Sequence, residues 1–88
     1  GFARQQLAIL QGLWPALAVD GRLLYVTCSL LQAENDDVIA RFTASNGGAV
    51  VEPLQLSEGL ARRYGWQTLP DPKGGDGLYF SLLRKAAG

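Results

Sequence analysis

Apolar residues recur at three- and four-residue spacing from the start of the chain. Leu7, Leu10, Trp14 and Leu17 fall on one stripe of a helix, and their spacing predicts that element over residues 3–18. Pro15 carries no amide hydrogen and should end or kink the helix near Trp14. Asp20-Gly21 signals a turn, with Gly21 expected to supply a positive φ angle. The run Leu23-Leu24-Tyr25-Val26-Thr27 is short and nearly continuous in apolar residues. It reads as a strand buried on both faces, as in parallel sheets. A second helix is expected from Gln32 or Ala33 to about Ala44, with Val38, Ile39 and Phe42 as its buried stripe. Glu34, Asp36 and Asp37 crowd its first turns, where the helix dipole favours negative charge.

Gly47-Gly48 should stop that helix. Residues 49–54 follow as a strand limited by Pro53. Residues 55–76 show no clear period, and Pro70, Pro72, Gly74, Gly75 and Gly77 mark them as loop. Residues 78–83 form the last predicted strand, closed by Arg84 and Lys85. The order helix, strand, helix, strand, strand is α/β in class. It suggests a parallel βαβ unit with a closing pair, at the C-terminal edge of a doubly wound sheet. In such sheets, sites form beyond the carboxyl ends of strands.

Composition narrows the chemistry. Eighty-eight residues allow one domain or part of one, and 48% hydrophobic residues provide for a core. Eight basic and eight acidic side chains cancel, so the chain has no overall electrostatic footprint for nucleic acid. With no histidine, the chain itself builds no His-based triad or His metal site. One cysteine excludes an internal disulfide and a Cys-x-x-Cys redox pair, and it suits a reducing, cytoplasmic setting. No run of about 18 apolar residues is present to span a membrane. No basic segment followed by an apolar run marks a signal peptide.

Cys28 is the sharpest chemical feature. It falls at the expected end of the first strand, a few residues before a helix. A helix N-terminus favours the anionic form of a nearby thiol, and that form is the nucleophile. The competing reading is a small buried hydrophobe, the usual role of a free cysteine. Thr27 and Ser29 either position the thiol or satisfy backbone groups at the strand end. Glu34 and Asn35 either cap the helix or brace the loop that carries Cys28. Tyr25 and Tyr79 read as core aromatics. Arg62-Arg63 reads as a phosphate contact or a solvated basic pair. The segment 73–77 reads as a surface turn.

The block Tyr25-Val26-Thr27-Cys28-Ser29, followed by Glu34-Asn35, Val38 and Phe42, resembles the Thr-Cys-Ser motif of the Nop/Sun family of RNA cytosine-5 methyltransferases. Leu13 to Leu17 with Asp20 to Leu23 is similar to the family's entry to that motif. Gln67 to Pro70 and Gly75 to Phe80 are similar to its C-terminal signature. The similarity runs from about Gln5 to Lys85, in order, and is nearest to the Sun/Fmu branch.

The resemblance implies a Rossmann-like fold, S-adenosylmethionine as methyl donor and RNA, in particular small-subunit rRNA, as partner. It implies that Cys28 attacks carbon 6 of cytosine, with Thr27, Ser29, Glu34 and Asn35 in support. It also implies that residues 1–88 form the C-terminal part of the catalytic domain. The glycine-rich cofactor turn, the acidic ribose ligand, the Pro-Cys motif and an RNA-binding region would then lie upstream. On this reading no residue of the chain is assigned to the cofactor or to a metal, and the piece alone is expected to be inactive, with an open sheet edge along residues 23–27. The competing class is a non-catalytic α/β interaction module with Cys28 in its core. A cysteine hydrolase would need its histidine from elsewhere.

Overall fold

A computed structural model describes residues 1–73 and 77–87. Residues 74–76, the middle of the expected surface turn, lie outside the described set. The elements are helix α1 (Phe2–Leu13), a 3-10 turn (Trp14–Ala16), strand β1 (Arg22–Thr27), a second 3-10 turn (Gln32–Glu34), helix α2 (Asp36–Ser45), and strands β2 (Ala49–Glu52), β3 (Leu60–Ala61), β4 (Trp66–Gln67) and β5 (Tyr79–Lys85). The class is α/β, as the pattern predicts.

Pro15 acts as expected: α1 stops at Leu13 and tightens into the 3-10 turn. The end of that turn is tied to the sheet by the Lys85 ammonium. It donates to the carbonyls of Trp14 and Leu17 at 3.0 and 2.9 Å, at a helix end where carbonyls have acceptor capacity to spare. At the next turn it is Asp20, with φ 68, that takes the left-handed conformation, not Gly21. Aspartate tolerates that region. Gly21 is needed for space instead, because a Cβ there would lie 2.8 Å from the Ala18 carbonyl oxygen.

The sheet differs from the expected parallel arrangement. β5 is its centre and runs antiparallel to its neighbours. β1 lies along one edge, from Arg22 opposite Arg84 to Thr27 opposite Tyr79. On the other edge, β2 pairs with the second half of β5 and β4 with its start. β3 pairs with β4. So β1 and β2 are parallel to each other, but the crossover through α2 skips one position, which β5 fills from the opposite direction.

β1 is also not buried on both faces. Tyr25 and Thr27 are buried, while Leu24 and Val26 are 53% and 44% exposed. Both helices pack on one face of the sheet, so alternation decides which side chains are covered. The core on that face joins Leu10 and Trp14 to Val38, Ile39 and Phe42 of α2, and to Tyr25, Tyr79 and Leu83 of the sheet. Trp14 meets Phe42 edge-on at 5.1 Å, and Tyr25 meets Tyr79 edge-on at 6.2 Å, a favoured aromatic geometry.

The predicted loop 55–76 contains structure that periodicity missed, the β3–β4 hairpin. Two-residue strands are too short to show an alternation. Side chains add to the hairpin's short ladder. The buried Asp36 carboxylate accepts from the backbone N–H groups of Arg63 and Tyr64, each at 3.0 Å, and from the Tyr79 hydroxyl at 2.6 Å. Ser81 donates to the Tyr64 carbonyl at 2.6 Å. Gly65 lies flat against the Phe80 carbonyl, where a Cβ would collide.

Asp36→Ala leaves three donors without their acceptor and should lower the unfolding free energy of the chain by about 3 kcal/mol. Urea unfolding followed by tryptophan fluorescence measures this, and a loss under 1 kcal/mol would contradict it (~1 kcal/mol being the net worth of one ordinary hydrogen bond).

Burial, with a smaller push from Glu34, raises the Tyr25 phenol from 10.0 to about 12. Burial, helped by the Asp36 carboxylate, raises Tyr79 as well. A phenol raised in the folded state contributes stability that is complete below the unfolded value and is lost as pH climbs toward the folded one. For Tyr25 that window runs from pH 10.0 to about 12. Alkaline titration should therefore show a fall in melting temperature beginning near pH 10.0, and Tyr25→Phe should reduce that fall.

Candidate active site at the carboxyl end of strand β1

Strand β1 ends at Thr27, and Cys28 is the next residue, in a bend with its thiol exposed. The two flanking residues are held from one point. The Thr27 hydroxyl donates to Asn35 Oδ1 at 2.5 Å, and Asn35 Nδ2 donates to the Ser29 carbonyl at 2.9 Å. The Thr27 hydroxyl oxygen also accepts from the Ser29 N–H at 3.3 Å. The Ser29 hydroxyl accepts from the Leu31 N–H at 3.0 Å, a local turn that carries the chain toward α2. Asn35 therefore holds the side chain of the residue before Cys28 and the backbone of the residue after it. Its amide orientation is fixed by the Ser29 carbonyl, which can only accept.

Asn35 is 3% exposed and stands at the start of α2, where an asparagine ordinarily caps. It makes no side-chain cap bond here. Its backbone, at φ −119 and ψ −100, breaks the expected continuous helix into a 3-10 turn and α2. The side chain thereby turns toward the Cys28 loop. A further bond at 3.4 Å runs from Asn35 Nδ2 to Gln67 Oε1, and Gln67 in turn donates to the Thr68 carbonyl at 2.9 Å. Glu34 contributes through its backbone, since its carbonyl accepts from the Tyr25 hydroxyl at 2.8 Å. No hydrogen bond of its carboxylate is found among the described residues.

The structure thus brings Thr27, Ser29 and Asn35 together around Cys28 and leaves the Glu34 carboxylate aside. Two contributors escape sequence reasoning. Gln67 belongs to the block similar to the family's C-terminal signature, but it sits on a two-residue strand with no readable period, and nothing there assigns it to the site. Asp36 reads as a charge favouring the helix dipole, whereas it anchors the hairpin that carries Gln67. Adjacent polar residues where a helix should simply begin are the one signal that could have found Asp36. Among the described residues no group of acidic or sulfur ligands is placed to hold a metal ion, and no helix is long and apolar enough to cross a membrane.

Residues 1–84 match the family model described as 16S rRNA methyltransferase RsmB/F. The chain is 45% identical over 80 residues to the ribosomal RNA small subunit methyltransferase B of Pasteurella multocida, covering 91% of this chain and 18% of that protein. It is 44% identical over 85 residues to the enzyme of the same name from Pseudomonas putida, covering 97% and 20%. A crystal structure of a methyltransferase homologue from Pyrococcus horikoshii superposes with a TM-score of 0.77 at 25% identity, over 94% of this chain and 30% of that one. The chain spans about one fifth of the length of the curated relatives it matches.

Asn35→Ala strips the partner from a buried hydroxyl and a carbonyl and should cost about 2 kcal/mol of stability. It should also free the bend at Cys28, read as faster hydrogen exchange of the Ser29 and Leu31 amides. Unchanged exchange at both amides would show that Asn35 does not hold the loop.

Proposed function

The chain belongs to the RsmB/F family of 16S rRNA methyltransferases, and on that premise we propose that it is the C-terminal part of a catalytic domain that forms 5-methylcytosine in small-subunit rRNA, with Cys28 as the attacking thiol. The observation that carries this reading is the exposed Cys28 directly after β1, at the carboxyl end of a strand, where α/β sites form. A cysteine filling a core, as in a non-catalytic module, has no need of such exposure.

Carbon 5 of cytosine is a poor nucleophile. The Cys28 thiolate donates an electron pair to carbon 6 and forms a carbon–sulfur bond. The ring electrons this displaces make carbon 5 enamine-like and reactive toward an electrophilic methyl group. After the methyl group is in place, loss of the carbon 5 proton to a base returns the electrons and breaks the carbon–sulfur bond. Covalent catalysis of this kind divides one difficult step into easier ones. The target base must be unpaired or extruded to reach the thiol.

S-adenosylmethionine, the donor used by methyltransferases of this kind, supplies that methyl group. Among the described residues the turn after β1 does not fit it: β1 runs into Cys28-Ser29 rather than a glycine-rich strand-to-helix turn. None of the described residues is assigned to it.

Beyond the nucleophile itself, this chain's part is positioning. Thr27 and Asn35 fix the Ser29 backbone after the sulfur, and the pairing of Thr27 with Tyr79 fixes the strand before it, so addition to carbon 6 need not first order a mobile loop. Glu34 supports the site through its carbonyl bond to Tyr25. A lone, exposed thiol is suited to a reducing, cytoplasmic compartment.

In the full-length protein, Cys28→Ala should abolish methylation of 16S rRNA, while Cys28→Ser retains at most a trace. RNA carrying 5-fluorocytosine, whose fluorine cannot leave as a proton, should trap the wild-type protein as a covalent adduct on denaturing gels, and neither variant should be trapped. Full turnover by Cys28→Ala would overturn the proposal.

A further inference from the structure

A cleft of about 200 Å³ opens where the loop after β1, the start of α2 and the β3–β4 hairpin meet. Leu30 forms one wall, Asn35 and Gln67 lie within it, and Arg62 stands on the hairpin side. It adjoins the Cys28 loop directly: Leu30 is two residues past the thiol, and Asn35 is the side chain that grips both neighbours of Cys28.

The groups lining the cleft differ in how far they are already engaged. Asn35 and Gln67 bond to each other and to backbone carbonyls. The Asp36 carboxylate faces three donors, which offset its charge toward an incoming anion. The Arg62 guanidinium makes no hydrogen bond or ion pair among the described residues and is exposed. Its backbone is nonetheless fixed. Arg62 donates its N–H to the Gly65 carbonyl at 2.8 Å, and the next two amides are held by Asp36. Arg63 lies beside it, with its guanidinium carbon 5.4 Å from the Tyr64 ring centre. In a chain of zero net charge, this hairpin tip places one cation, Arg62, in the lining of a cleft next to the proposed nucleophile, with a second, Arg63, adjacent in sequence. Arginine is the side chain suited to phosphate oxygens, and the 56% exposed Leu30 offers an apolar surface for a ribose or base.

We infer that this cleft takes a nucleotide flanking the cytosine that Cys28 attacks, with Arg62 meeting its phosphate. The inference rests on the reading of Cys28 above, and it assigns the β3–β4 hairpin a part in RNA binding.

The test uses the full-length protein and 16S rRNA transcribed in vitro, with Kd measured across a salt series. Arg62→Gln should weaken binding and lower the slope of log affinity against log salt by about 0.7, the share of one phosphate on a single strand. It should raise KM for RNA, leave kcat at saturating RNA unchanged and leave the melting temperature unchanged. Arg41→Gln, on α2 outside the cleft, should change none of these. An unaltered Kd and slope for Arg62→Gln, or an equal loss for Arg41→Gln, overturns the inference. The same titrations in a Cys28→Ala background read binding without turnover. A failure of the thiol reading therefore shows as methylation by Cys28→Ala, and a failure of this inference as an unchanged slope.

Discussion

The site depends on two neighbouring side chains, Asn35 and Asp36, that serve different parts of the fold from one point. Asn35 reaches the end of β1 and the chain just beyond it. Asp36 reaches the β3–β4 hairpin and the start of β5. Both residues are buried, and the bonds Thr27–Asn35 and Tyr79–Asp36 are fully so, so breaking either leaves a buried polar group without a partner. The irregular backbone of Asn35 follows from this. A regular first turn would align the amide with its own helix, and the loop around Cys28 would then lose its common holder.

This arrangement also explains how a short chain can keep a thiol exposed on a defined loop. Apolar packing fixes the sheet and the two helices, but it is non-directional and ends where the strand ends. Beyond Thr27 the chain must be positioned by hydrogen bonds, which have direction. Tyr25 and Tyr79 join the two regimes. Their rings belong to the core, and their hydroxyls donate to the Glu34 carbonyl and the Asp36 carboxylate.

Much of the fold was legible in the sequence because it follows from periodicity. The stripe of Leu10 and Trp14 and that of Val38, Ile39 and Phe42 are the buried stripes of two helices, and Pro15 ends the first. Elements resting on long-range pairing were not legible. Nothing local in residues 78–83 says that they enter the sheet between β1 and β2, which turns an expected parallel neighbour into an antiparallel one. Nothing in Leu24 or Val26 says that their face of the sheet is left open by both helices. A continuous apolar run records what a strand can bury, not what is present to bury it.

The candidate site was legible in its types and not in its connections. Thr27, Cys28, Ser29 and Asn35 could be singled out, but for Asn35 capping is the default from sequence, and the backbone at that residue is what reveals bracing instead. Gln67 lay hidden because its partner is 32 residues away, across a loop without a period. Sequence patterns report the covered faces of elements, whereas a site at a strand end is made of residues that terminate patterns. Polar residues that interrupt an expected helix start are therefore more informative than those that continue it. Asn35 and Asp36 are such a pair, and their departure from ordinary capping is the local sign that this end of the sheet is organised around the loop it holds.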